Sequence, residues 1–66
     1  RKMKKQAREL KKGDKIIIAE KIFIINEIEI SDIGKQGKRK VRLVCFDENN
    51  EKLVIIRPED YVFDSQ

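Results

Sequence analysis

The apolar positions of this chain come in short runs, and the spacing within them changes from run to run. Ile16-Ile17-Ile18 is a β-branched block that follows the turn-forming triplet Lys12-Gly13-Asp14, so a strand is predicted over Lys15–Ile18, with Ala19-Glu20 as a tight link after it. Lys21–Ser31 reads as the longest strand. It is apolar at every position from Ile22 to Ile25 and alternates strictly from Asn26 onward, the pattern of a strand that starts in a core and ends as a projecting ribbon. Lys40–Asp47 mirrors it, with Val41, Leu43 and Cys45 on one face and Arg42, Val44 and Phe46 on the other. Between the two lies a hairpin tip, where Gly34 and Gly37 can take positive φ angles at little steric cost and leave Lys35 and Gln36 facing solvent.

Asp47-Glu48-Asn49-Asn50-Glu51 supplies the turn for a second hairpin into the apolar run Lys52–Ile56. Pro58 cannot donate to a ladder, so that strand should end near Arg57, and a turn through Pro58-Glu59-Asp60 should lead to a short closing strand, Tyr61–Phe63. Five short strands joined by tight turns, with no credible long helix, predict an all-β fold: a small antiparallel barrel with one projecting basic hairpin. Its expected core includes Ile16, Ile18, Ile28, Leu43, Cys45 and Val54. Residues 1–12 have only Met3, Ala7 and Leu10 as apolar anchors. They read as a basic arm, with room for a helical turn across Gln6–Leu10 that Gly13 would stop, which leaves residues 13–66 for the barrel.

Length limits the core, because a single domain of 66 residues buries only about 60% of the surface its unfolded chain exposes. The apolar runs fall short of the roughly 20 residues that span a bilayer, and no secretory pattern opens the sequence, so a soluble cytoplasmic protein away from membranes is expected. One cysteine and no histidine leave no internal disulfide, no zinc-ligand cluster and no base to activate a nucleophile; Cys45 reads as a small buried thiol. Glu27 and Glu29 alternate with isoleucines as the wet face of a sheet, not as a catalytic pair. No enzymatic chemistry, cofactor or metal is therefore expected.

Charge changes the picture most. The net +4 is the sum of +6 over residues 1–15, −2 over 16–30, +4 over 31–42 and −4 over 43–66. If the fold brings the arm and hairpin together, they form a patch that attracts polyphosphate. Its candidate residues are Lys4, Lys5, Arg8, Lys11 and Lys12 on the arm, and Lys35, Lys38, Arg39, Lys40 and Arg42 on the hairpin. An Ile-, Lys- and Glu-rich composition is also a habit of heat-adapted proteins, and a basic run of that origin needs no partner.

Several segments resemble, in order, the N-terminal domain of the translation initiation factor five-A family, whose bacterial relative is elongation factor P. They are Leu10-Lys11-Lys12-Gly13-Asp14 leading into Ile16-Ile17-Ile18, the strand running to Ser31, Gly34-Lys35-Gln36-Gly37, Lys40-Val41-Arg42-Leu43, and Pro58. The resemblance implies an SH3-like barrel of the KOW type, followed in the family by an OB-fold domain. It also implies that Lys35 holds the position of the tip lysine that carries hypusine and reaches the peptidyl-transferase centre of the ribosome. The pattern departs at Gln36, where the family has histidine, at Lys38 and Arg39, where small residues are usual, and at Ile22-Phe23 in place of proline-cysteine.

The leading expectation is thus a monomeric, translation-factor-like domain that binds ribosomal RNA or tRNA and presents Lys35. The alternative is a stand-alone SH3-like module that coats DNA or RNA with little sequence preference. A third reading is a protein-interaction barrel whose basic tip meets an acidic partner.

Overall fold

Between Ile18 and Lys21 the chain reverses through two residues, Ala19 and Glu20, and both take left-handed backbone angles, with φ of 51° and 66°. A two-residue reversal of that hand suits the twist of the strands it joins, and here it is made without glycine. In the computed structural model, which describes residues 3–31 and 39–66, this turn links the second and third of six strands. They are β1 (Met3–Gln6), β2 (Lys15–Ile18), β3 (Lys21–Ser31), β4 (Lys40–Phe46), β5 (Lys52–Pro58) and β6 (Val62–Ser65). All pair antiparallel in one sheet of order β1-β6-β2-β3-β4-β5, consistent with a small SH3-like barrel.

The core follows from register. Ile16 lies opposite Phe23, Ile25 opposite Cys45, and Leu43 opposite both Ile28 and Ile55. Ile16, Ile25, Val41, Leu43 and Cys45 are the largest fully buried side chains, with Ile18, Ile28 and Leu53 packed partly buried against the cluster. The mixed pattern of the long strand has a local cause. Pairing steps from Ile25↔Cys45 to Glu27↔Val44, so Asn26 is an extra residue, a bulge that shifts the inward phase from Phe23 and Ile25 to Ile28.

Several expectations need correction. The sheet has six strands where five were expected, because Met3–Gln6 pairs with β6 (Met3↔Ser65, Gln6↔Val62) instead of standing free as an arm. A one-sided edge strand does not need an apolar face and tolerates its lysines, so its composition does not announce it. A 3-10 turn at Ala7–Glu9 follows, inside the span where a helical turn was expected, and Ala7 and Leu10 are buried. Val54 is exposed and Ile55 takes the core position, because the register with β4 turns Ile55 inward opposite Leu43. The closing strand is Val62–Ser65, not Tyr61–Phe63, and β5 runs on to Pro58, which an edge strand accommodates. Gly34, Lys35, Gln36, Gly37 and Lys38 lie outside the described residues; β3 and β4 remain paired as far as Ser31↔Lys40.

The turn between β4 and β5 is organised by Asp47, a buried carboxylate whose Oδ1 accepts from the amides of Asn49 (2.8 Å) and Glu51 (2.9 Å), while Asn50 takes φ 63°. Gly13, at φ +90°, precedes β2, and its amide donates to the Ile25 carbonyl at 2.8 Å.

Two predictions follow from this packing. Holding side chains in left-handed angles costs on the order of 1–3 kcal/mol per residue. Ala19→Asn combined with Glu20→Gly should therefore raise stability by about 1 kcal/mol or more, read as a higher urea midpoint at unchanged slope; a lower midpoint would show that the native turn is not strained. Cys45 is fully buried and donates its thiol to the Leu53 carbonyl at 3.5 Å, and burial pushes the thiol up from its ordinary value of 9.0. The unfolded chain ionises first as pH rises, so the stability linked to this thiol is complete below that value and is lost above it. Maleimide should label Cys45 only at the rate of unfolding, and faster labelling would contradict the burial.

Candidate nucleic-acid interface

Pro58-Glu59-Asp60-Tyr61 is the seam where the two basic parts of the chain meet. Proline ends β5, and the Tyr61 amide donates back to the Pro58 carbonyl at 3.0 Å, closing a turn. On one side the Glu59 amide donates to the Arg39 carbonyl at 2.9 Å, and Arg39 Nε donates to Glu59 Oε1 at 3.0 Å. On the other side the amides of Ala7 and Arg8 donate to the carbonyls of Tyr61 (2.8 Å) and Glu59 (3.1 Å). Arm and hairpin root thus abut one four-residue turn, held from both sides by backbone hydrogen bonds.

Side-chain pairing divides the predicted cations into two groups. Lys4 pairs with Asp64 at 2.9 Å, Lys5 with Asp14 at 3.5 Å, Arg39 with Glu59 at 3.0 Å and Arg42 with Glu29 at 3.4 Å. The exposed pairs among these, Lys4–Asp64 and Arg42–Glu29, contribute little stability, about 0–1 kcal/mol each, and all four locally cancel positive charge. Among the described residues, Arg8, Lys11, Lys12 and Lys40 are in no ion pair. Residue alternation in β4 also splits the hairpin run. Lys40 and Arg42 share the face that carries Glu29, Ser31 and Ile56, and together with Ile30 these line a shallow groove at the root of the hairpin. Arg39 turns to Glu59 instead. Lys35 and Lys38 lie outside the described residues.

Two residues at this seam escaped the sequence reading. The Arg57 guanidinium carbon sits 5.4 Å from the centroid of the Tyr61 ring, and that ring meets Phe63 at 4.9 Å between centroids, tilted by 59°. Their only sequence signal is an arginine and an aromatic on either side of a proline turn. Elsewhere, the described residues hold no group of three or more His, Cys, Asp or Glu placed to bind a metal, and no helix long and apolar enough to cross a membrane.

No protein-family model matches the sequence, and no curated protein matches it closely enough to count. Solved structures do match. A translation initiation factor eIF-5A family protein from Naegleria fowleri superposes with a TM-score of 0.86 at 28% identity, over 97% of this chain and 46% of that one. Eukaryotic translation initiation factor 5A from Methanococcus jannaschii superposes with a TM-score of 0.84 at 23% identity, over 96% of this chain and 48% of that one, a likeness of fold. The chain therefore spans about half the length of each. In fold it is similar to eIF-5A family proteins, consistent with their N-terminal SH3-like domain.

Proposed function

We propose that the chain is a translation-factor-like RNA-binding module that engages ribosomal RNA or tRNA and presents Lys35 at its hairpin. The observation that carries the reading is the 28% identity and TM-score of 0.86 to an eIF-5A family protein over 97% of the chain. Placement of charge supports it. The arm and the hairpin root meet at the 58–61 turn, and the candidate cations left unpaired among the described residues, Arg8, Lys11, Lys12 and Lys40, come from both. These residues would neutralise phosphates and set orientation, with Lys38 adding to them, while Lys4, Lys5, Arg39 and Arg42 would contribute by exchanging a carboxylate partner for a phosphate. The chain would perform no chemistry itself; Lys35, at the position where the family resemblance implies hypusine, would deliver a cation to a reaction carried out elsewhere.

Binding to single-stranded RNA should fall with log salt at a slope of about −0.7 per phosphate neutralised, with little sequence preference. Replacing Arg8, Lys11 and Lys12 together by alanine should flatten that slope by about two units in an anisotropy titration. Lys35→Ala should barely alter affinity for generic RNA yet abolish stimulation of peptide-bond formation on stalled ribosomes. Equal losses from Lys35→Ala and from each other lysine, with no ribosomal effect, would favour a nucleic-acid-coating module on RNA or DNA. An intact-mass increment on Lys35 in the native protein would establish the modification separately.

A further inference from the structure

We propose that Tyr61 and Arg57 form a stacking site for one unpaired nucleobase beside the turn that joins the arm to the hairpin root. The inference rests on the RNA-binding reading and adds to it a contact with a base, where every other candidate residue offers a contact to phosphate. Tyr61 keeps 44% of its surface open, and Arg57 beside it is exposed. Both planes are held before any ligand arrives. Phe63, itself buried, packs against the tyrosine ring, and Arg57 Nη1 donates to the Ile56 carbonyl at 2.8 Å while its guanidinium carbon lies 5.4 Å from the ring centroid. A base binds by laying its face on an aromatic ring or on a guanidinium plane, and here both are offered together with little side-chain freedom left to lose.

A purely structural role accounts for the pair poorly. The 58–61 turn is already closed by Tyr61 N to Pro58 O and tethered by Ala7 N to Tyr61 O, Arg8 N to Glu59 O and Glu59 N to Arg39 O. An exposed ring adds little to that network. Location favours a ligand, since those same bonds set the backbones of Arg8 and Arg39 against Glu59, two residues before Tyr61. A strand of RNA whose phosphates lie along these cations would carry its bases past the ring.

The chain contains one tyrosine and no tryptophan, so its intrinsic fluorescence reports on Tyr61 alone. At low salt, hexauridylate should quench that fluorescence and should bind about 5- to 150-fold more tightly than a ribose-phosphate hexamer lacking bases. Tyr61→Phe should keep the preference and Tyr61→Leu should remove it. Arg57→Lys, which keeps charge but loses the plane, should reduce the preference with the salt slope unchanged. Equal affinity for the two hexamers with no change in wild-type fluorescence would overturn the stacking site and leave phosphate binding standing. Failure of both hexamers to bind would overturn the RNA-binding reading and the stacking site with it. The wild-type titration decides between these outcomes even if Tyr61→Leu fails to fold.

Discussion

Everything in this small protein hangs on the inward face of β4. Val41, Leu43 and Cys45 have no solvent exposure, and the strand is flanked by β3 on one side and β5 on the other. Fully burying side chains of this kind contributes about 1.5–3 kcal/mol each, a large share of what a domain of this size can muster. The same strand begins at Lys40, so the hairpin root is an extension of the best-packed element and inherits its position from the core. Whatever the basic residues bind, they are carried by a rigid support.

A second constraint acts beside the hairpin root. Pro58-Glu59-Asp60-Tyr61 uses its backbone to hold two segments that are far apart in sequence, the Ala7–Arg8 region and Arg39. These are hydrogen bonds of the main chain, indifferent to side-chain identity, and the arrangement of charge around them can therefore vary without loss of the scaffold. Among the described residues, four ion pairs cancel positive charge at Lys4, Lys5, Arg39 and Arg42 and leave the candidate cations Arg8, Lys11, Lys12 and Lys40 unpaired.

Much of this was legible in the sequence. The strand before Ala19-Glu20, the long strand to Ser31, the alternation of Val41, Leu43 and Cys45, and the turn at Asp47 all follow from local pattern, because in each case polar and apolar residues differ enough to fix the phase. Where they do not differ, reading fails: Leu53-Val54-Ile55-Ile56 is apolar at every position, so only the register with β4 decides that Ile55 points inward. The bulge at Asn26 was invisible for a related reason, since Ile22–Ile25 conceals the phase that it shifts. β1 was missed because its strand character comes from a partner near the other end of the chain. The pairing of Arg57 with Tyr61, and the cancellation of Arg39 by Glu59, depend on the path of the turn and have no local signature.

That distant pairing of β1 with β6 also bears on the order in which the molecule assembles. β2–β3, β3–β4 and β4–β5 are hairpins between neighbours and cost little loop-closure entropy, whereas Met3↔Ser65 joins positions separated by nearly the whole chain. β6 also follows the other five strands in sequence. A growing chain can thus complete β2 to β5 before β1 has its partner, so an unfinished copy holds the cations without the surface.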